Sequence, residues 1–177
     1  MEIHVRDSFY LTSVRATDKA SFLACLNDPS ISEAIPALPF PYTEAMADWW
    51  IKHRLEFAKD AGAEISFVLR NPDGKLMGSF GVDDFKVGSS HRAEIGYWLA
   101  QPYRGQNWAS DTLRVFVDYA FANLQLSRLT AHTLASNQAS ARVLEKCGFK
   151  LEGCLRQHTK TKSGLIGTFA YGLLKSD

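Results

Sequence analysis

The stretch YWLAQPYRGQNWASDTL, residues 97–113, joins an apolar segment to a predicted helix through a turn that contains Pro102, Arg104 and Gly105. The first N–H groups of a helix have no acceptor within the helix, and the helix dipole is positive at that end. A phosphate or pyrophosphate is therefore a natural ligand for such a turn, and Arg104 adds a guanidinium that can bind phosphate oxygens. A plain polar turn between a strand and a helix has a similar composition, so the stretch alone leaves both interpretations open.

Strand and helix patterns alternate on both sides of this turn, and no linker or repeat divides the chain. Apolar periodicity and turn signals such as NPDG predict the element bounds. Strands are predicted over 9–17, 64–70, 75–86, 92–100, 127–134, 149–160 and 167–175, and helices over 17–28, 44–62, 108–123 and 138–146. Thr17 and Thr43 are the predicted N-caps of the first two helices, and Gly148 is the predicted left-handed residue after the last helix. Three prolines predict an irregular segment over 33–43.

This order of elements predicts one domain over 1–177 with an α/β (mixed α+β) fold. Two helices and a run of strands are followed by a β-α-β-α-β-β pattern, which is typical of a mixed sheet covered by helices. A crossover through a helix indicates that some neighbouring strands are parallel.

Composition narrows the classes of partner. Twenty Lys and Arg against 19 Asp and Glu give a formal charge of +1, which does not support nucleic-acid binding through bulk charge. No apolar run approaches the roughly 20 residues of a membrane span, and the five histidines lack metal-ligand spacing. The first 14 residues lack the pattern of a signal peptide, which predicts a cytoplasmic protein. We expect reduced cysteines, with Cys147 and Cys154 as core thiols.

A second motif, SNQASARVLEKCGFKLEGCLR, covers residues 136–156. Asn137 and Ser140 stand at the start of its helix, where simple capping explains them when they are taken alone. Together, however, the two motifs resemble those of the GNAT superfamily of acyl-CoA N-acetyltransferases, and in particular the Rim branch, which acetylates N-terminal amines of ribosomal proteins. The resemblance covers almost the whole chain, through LTSVRATDKASFLACLND, GKLMGSFGV, AEIGYWLAQPYRGQNWASDTL and NQASARVLEKCGFKLEGCLR.

The resemblance implies a GNAT-like fold, with a mostly antiparallel sheet splayed at the acyl-CoA strand and helices on both faces. It also implies an enzyme that transfers the acetyl group of acetyl-CoA to a primary amine, without a metal, by direct attack in a ternary complex. The favoured acceptor is the N-terminal α-amine of a protein or peptide. A small amine, such as a polyamine or amino sugar, and a CoA-binding module without turnover are the alternatives.

The resemblance also implies which residues bind CoA. In the family, a loop with the pattern R-x-x-G-x-A wraps the pyrophosphate with its backbone N–H groups. The matching residues are Arg104, Gly105, Gln106, Asn107, Trp108 and Ala109. Asn107 stands where the family has glycine, and asparagine tolerates a left-handed backbone better than most residues, so we expect an effect on CoA affinity rather than on binding itself.

The remaining CoA contacts come from a strand and a helix start. The main chains of Trp98 and Leu99 match those that pair with the pantetheine arm, and an oxyanion donor is expected from the backbone near Leu99. Asn137 matches a residue that contacts the pantetheine arm, and Ser140 matches one placed near the CoA sulfur.

Two glutamates are candidates for the general base. Glu152 matches a position at which Rim-type enzymes are proposed to place a base that acts through water, and Glu94 lies on the acyl-CoA strand. We rank Glu152 slightly ahead of Glu94. At pH 7, deprotonation costs about 1 kcal/mol for an α-amine and about 5 kcal/mol for a lysine, so an N-terminal acceptor needs only modest help. Leu144 stands where many family members carry a tyrosine that acts as the general acid, so that acid is missing. The Ser140 hydroxyl is left to assist the leaving thiolate.

The acceptor pocket is expected between the first two helices and the last hairpin. Its candidate residues are Tyr42, Trp49, Trp50 and, more weakly, Glu94. A polyamine site should present clustered carboxylates, and residues 83, 84 and 94 form the one obvious acidic cluster. Exposed aromatic residues are compatible with a homodimer.

Overall fold

The computed structural model describes residues 1–86 and 88–177, and these residues form an eight-stranded sheet. The strands are β1 (Glu2–Arg6), β2 (Phe9–Ser13), β3 (Ser66–Arg70), β4 (Leu76–Asp83), β5 (Arg92–Leu99), β6 (Arg128–Leu134), β7 (Lys150–Thr161) and β8 (Gly164–Leu174). Their spatial order is β1-β2-β3-β4-β5-β6-β8-β7. The β5–β6 pair is parallel and the other neighbouring pairs are antiparallel, which confirms the predicted mixed, mostly antiparallel sheet.

The described residues also form five α-helices, whose ends follow local chemistry. They are α1 (Lys19–Leu26), α2 (Pro29–Ala34), α3 (Glu44–Ala61), α4 (Trp108–Asn123) and α5 (Gln138–Lys146). The Thr43 hydroxyl accepts the Met46 N–H at the start of α3, and the Asn137 side chain accepts the Ser140 N–H at the start of α5. Gly148 has a φ of 88°, the left-handed conformation expected after α5.

The helices cover the sheet from both sides, and successive strand residues point to opposite faces. On one face, Phe116 of α4 and Leu144 of α5 pack with Phe67 and Ile95 in the larger core. On the other face, a smaller core joins the first three helices to Val68, the next residue after Phe67. The sheet between these two cores is interrupted.

The interruption is a splay between β5 and β6. Their parallel register joins Arg92, Ala93 and Glu94 to residues 128–130, and the two strands separate beyond that point. On its other edge, β5 stays paired with β4 as far as Leu99. The splay predicted at the acyl-CoA strand is therefore confirmed.

Several local predictions were incomplete or wrong. The strand predicted over 9–17 ends at Ser13, and the segment predicted to be irregular from residue 33 begins after Ala34. The strand β1 was not predicted, and α2 was not predicted either, although Asp28 caps it and Pro29 fills its first turn, where proline is tolerated. Thr17 does not cap the first helix, because residues 16–18 form a 3₁₀ turn and α1 begins after Asp18. Cys154 is exposed on β7, an edge strand, rather than in the core.

Asp18 makes a buried ion pair in place of a simple cap. The Arg70 guanidinium donates to both Asp18 carboxylate oxygens at 2.8 Å, and its Nε donates to the Thr12 hydroxyl at 2.7 Å. The Arg70 and Asp18 side chains are 10% and 5% exposed. This pair fixes the chain between β2 and α1 to the end of β3.

We expect Arg70→Met to lower the free energy of unfolding by about 3–5 kcal/mol, because it leaves the Asp18 carboxylate buried without its partner. Urea unfolding followed by circular dichroism measures the loss. Arg92→Met is the matched control, since Arg92 pairs with Asp84 on the surface and its loss is expected to cost less than about 1 kcal/mol. Equal losses in the two variants would contradict a special role for the buried pair.

Candidate active site

The splay between β5 and β6 opens into a cavity of about 780 Å³. Its walls come from β5, β6, the turn before α4, the helix α5, and α2 with the residues that follow it as far as Ala37. The two sequence motifs contribute the end of β5, the turn and α5 to these walls. Ten predicted site residues line it: Glu94, Trp98, Leu99, Arg104, Gly105, Asn107, Trp108, Ala109, Asn137 and Ser140. The structure thus brings together most of the predicted CoA-binding residues.

The turn before α4 has the backbone expected of an anion-binding loop. Gly105 and Asn107 both adopt left-handed conformations, with φ of 76° and 64°. Within the described residues, no side chain caps the first turn of α4, so its leading N–H groups remain available to a ligand. This arrangement fits a phosphate or pyrophosphate, which a helix N-terminus binds through those N–H groups.

Asn107 is held in place from α5. The Lys146 ammonium donates to its side-chain oxygen at 3.1 Å, and both residues line the cavity. Lys146 therefore places a cation beside the loop that is predicted to bind the pyrophosphate. Gln106 lies on the outer side of the loop, with its amide donating to the Pro102 carbonyl at 3.2 Å.

Arg104 and Trp108 have structural contacts that the sequence did not suggest. The Arg104 Nε donates to the Leu99 carbonyl and its Nη1 donates to the Ser30 hydroxyl, each at 2.8 Å. Arg104 thus ties the loop to the end of β5 and to α2, instead of pointing freely at a phosphate. The Trp108 ring is buried against Phe9 and the Arg6 guanidinium, so its contribution to the cavity is mainly through its backbone.

Two hydroxyls meet between β5 and α5. The Tyr97 hydroxyl lies 2.8 Å from the Ser140 hydroxyl, and both residues line the cavity. Burial raises the pKa of Tyr97, so its hydroxyl stays protonated and can donate. Tyr97 was not among the predicted site residues, and it supplies a phenol that contacts Ser140, one helical turn before Leu144.

Each acidic residue at the cavity has a basic partner. Glu94 stands where the splay begins, and its carboxylate lies 2.9 Å from Nδ1 of His132. Asp83, opposite Glu94 on β4, pairs with Arg54 of α3. His132 was also missed, although the polar residues that alternate along β6 could have indicated an open sheet face.

Glu152 lies away from this group. Its carboxylate lies against Gly172 and accepts a hydrogen bond from Arg128 at 2.5 Å. Glu152 lines neither this cavity nor a second cavity, which lies between α3 and the sheet. The hydrogen bond from Arg128 lowers the pKa of Glu152, which makes it a weaker base.

A second cavity, of about 560 Å³, lies between α3 and the sheet. It meets the first cavity along β5, since Gly96, Tyr97 and Trp98 line both. Its lining includes all three predicted aromatic acceptor residues, Tyr42, Trp49 and Trp50. Tyr42 is buried, whereas the Trp49 side chain is mostly exposed and stacks on His53 at the rim.

The described residues indicate no metal site, no reactive thiol at Cys147 and no membrane-spanning helix. In the described parts of the chain, no cluster of three or more histidine, cysteine or acidic side chains could hold a metal ion. Burial raises the pKa of the Cys147 thiol to about 11, which is typical of an inert structural thiol. None of the helices in residues 1–86 and 88–177 combines the length and apolarity needed to cross a membrane.

Comparisons with known proteins agree with this geometry. Residues 9–150 match the model of the acetyltransferase (GNAT) domain. A Bacillus licheniformis protein named uncharacterized N-acetyltransferase p20 is 28% identical over 156 residues, which are 85% of this chain and 84% of that protein. A spermidine N(1)-acetyltransferase of Vibrio cholerae is 30% identical over 94 residues, which are 52% of this chain and 53% of that protein.

Solved structures share the whole fold. RimL, a ribosomal L7/L12 alpha-N-protein acetyltransferase in complex with coenzyme A, has a TM-score of 0.87 at 16% identity, with 98% of each chain covered. Since the family model matches most of the sequence and the splayed strand, loop and helix stand where its motifs require them, the chain belongs to the GNAT family and is an acetyl-CoA-dependent N-acetyltransferase.

Proposed function

We propose that this enzyme acetylates the N-terminal α-amine of a peptide or protein. The observation that carries the proposal is the pairing of both carboxylates at the junction of the cavities, Glu94 with His132 and Asp83 with Arg54. One hydrogen-bonded carboxylate suffices for an amine that costs about 1 kcal/mol to deprotonate at pH 7. A polyamine instead requires several free carboxylates, and residue 84, the third member of the acidic cluster, pairs with Arg92.

Acetyl-CoA supplies the activated acyl group as a thioester. We assign its pyrophosphate to the loop from Arg104 to Ala109 and the start of α4, with Lys146 at the side. We assign its pantetheine arm to the open edge of β5, at Trp98 and Leu99, with Asn137 on the facing helix. The Ser140 and Tyr97 hydroxyls then lie where the thioester sulfur is expected, between the two cavities.

In the reaction, the neutral amine nitrogen attacks the thioester carbonyl carbon, the C–S bond breaks and the amide C–N bond forms. The proton lost by the nitrogen passes to Glu94, and the thiolate is stabilised by the Ser140 hydroxyl. Tyr97 donates to Ser140 and so keeps the serine proton directed at the sulfur. We infer that Glu94 is the better candidate for the base, ahead of Glu152, because Glu94 lines the cavity and Glu152 lies outside it, bound to Arg128.

Two peptides of the same length test the acceptor. One has a free N-terminus and no lysine, and the other has a blocked N-terminus and one internal lysine. At pH 7 the neutral fraction of an α-amine exceeds that of lysine by about 400-fold, so we expect thiol release at least about 100-fold faster with the first peptide. Spermidine is the third acceptor, and faster release with spermidine or with the lysine peptide would overturn the proposal.

We expect Glu94→Gln to lower kcat by about 10²- to 10⁴-fold, because the amide cannot accept the amine proton. The dissociation constant of CoA, measured by calorimetry, should stay near the wild-type value. Glu152→Gln is the matched control and should change kcat by less than about twofold. A larger loss in Glu152→Gln than in Glu94→Gln would restore Glu152 as the base.

We expect Ser140→Ala to lower kcat by roughly 10- to 100-fold, the value of one hydrogen bond to a charged group. Tyr97→Phe should lower kcat by roughly 3- to 10-fold, since it removes a neutral hydrogen bond that orients the serine. The KM for acetyl-CoA should change little in either variant. A raised KM with an unchanged kcat would show that the two hydroxyls serve binding rather than departure of the thiolate.

A further inference from the structure

A row of small residues crosses three adjacent strands beneath α3. The strand registers place Ser66 of β3 beside Gly81 of β4, and Gly81 beside Gly96 of β5. Neighbouring strands lie about 4.8 Å apart, so the row extends about 10 Å across the sheet. All three residues line the second cavity, and we call this row the trench. It begins at Gly96, where the two cavities meet.

The two glycines shape the trench in different ways. A Cβ on Gly81 would lie 2.7 Å from the Ser66 hydroxyl and 3.1 Å from the Ile65 carbonyl, so any side chain there would collide with β3. A Cβ on Gly96 would meet a single atom within 4 Å, the Asp83 Oδ2 at 3.6 Å. The space above Gly96 is therefore open, and it leads from the splay into the second cavity.

Aromatic rings form the walls above the trench. Phe22 lies 4.8 Å from Trp50 and 6.0 Å from Trp98 between ring centroids, and all three rings line the second cavity. The charged side chains in its lining are Asp83 and Arg54, which pair with each other. The trench therefore offers a ligand apolar contacts and little net charge.

Two polar atoms at the trench lack a partner within the described residues, the Ser66 hydroxyl and the Arg54 Nε. Ser66 is 3% exposed, and buried polar groups in native proteins are nearly always hydrogen-bonded. Ser66 forms the end of the trench away from Gly96, so that end is suited to a ligand that carries a polar atom beyond its apolar part. A phenol hydroxyl has the required chemistry, because it can donate to or accept from the Ser66 hydroxyl.

We propose that the trench binds the aromatic group of the acceptor. The acceptor is then a primary amine that carries an aromatic ring, and a ring with a far hydroxyl is preferred. The N-terminal residue of a peptide that begins with tyrosine or phenylalanine has this chemistry, and so does a free arylethylamine. This inference rests on the proposed function, since it requires the amine to be acetylated at the Gly96 end.

Four acceptors test the class: peptides that differ only in an N-terminal tyrosine, phenylalanine or serine, and free tyramine. We expect kcat/KM for the phenylalanine peptide to exceed that for the serine peptide by on the order of 10- to 100-fold, the gain from burying a large apolar side chain. The tyrosine peptide should be severalfold better again, and Ser66→Ala should abolish its advantage over phenylalanine.

Two glycine variants test the location. Gly96→Ala adds a methyl group to the trench and should lower the ratio of kcat/KM for phenylalanine over serine by at least about threefold. Gly153→Ala is the matched control, because a Cβ there meets no atom within 4 Å and the residue lies on the edge strand, away from the trench. Its ratio should equal that of the wild type. An unchanged ratio in Gly96→Ala would overturn the location.

The outcomes separate this inference from the proposed function. If all three peptides are acetylated and kcat/KM for the serine peptide equals or exceeds that for the phenylalanine peptide, the aromatic class is overturned. The proposed function then still stands. Equal rates for tyrosine and phenylalanine peptides in the wild type would overturn the polar far end. Tyramine as the sole acceptor would support the trench but overturn the peptide as acceptor, and no acetylation of any of the four would overturn both proposals.

Discussion

The separation of β5 from β6 after Glu94 is the constraint on which the rest of the site depends. Backbone N–H and C=O groups that lose a neighbouring strand need another partner, because an unpaired polar group is costly once it is removed from water. Beyond Glu94 the edge of β5 that faces β6 gives up those strand pairs, while the opposite edge stays paired with β4. An extended arm rich in amide groups, such as pantetheine, can restore the missing pairs. The CoA site that we propose is thus a gap in a sheet, with the proposed base, Glu94, at the point where the gap begins.

The loop after β5 shows how one substitution can be accommodated by its surroundings. Asn107 takes the left-handed conformation that the family's glycine would take, and asparagine adopts it at modest cost. Unlike glycine, asparagine has a side chain that must be placed, and Lys146 holds it against α5. The cation that secures Asn107 also stands beside the predicted phosphate site, so Lys146 contributes a positive charge at the edge of the loop.

Elements with strong local signals were predictable from the sequence. The bounds of α4 and α5 matched the structure at both ends, because apolar periodicity, Asn137 as a cap and Gly148 as a stop are encoded within a few residues. The helix α2 was missed because prolines dominate its surroundings, and one proline occupies a first turn instead of breaking the helix. Local patterns carry little information about such short elements.

The site was predictable where the backbone makes the contact and less so where side chains meet from distant segments. Tyr97 and Ser140 are 43 positions apart, and Glu94 and His132 are 38 positions apart. Such pairs depend on strand order and register, which a single sequence does not specify. Arg104 fits its motif in sequence, yet its side chain binds Ser30 and the Leu99 carbonyl. A motif therefore located the loop but did not determine the direction of each side chain.

The pairing of the site carboxylates has a consequence for catalysis itself. Asp83 and Glu94 are opposite each other on neighbouring strands, and two free carboxylates there would stabilise a protonated amine. That is the unreactive form of the acceptor, so each additional negative charge would raise the cost of the attack. Arg54 reduces this charge at Asp83, and the hydrogen bond with His132 positions Glu94 while leaving it at the cavity. The nearly neutral, apolar trench has the same effect. It binds the acceptor through apolar contacts with the aromatic group, so no further negative charge raises the cost of removing the proton from the amine.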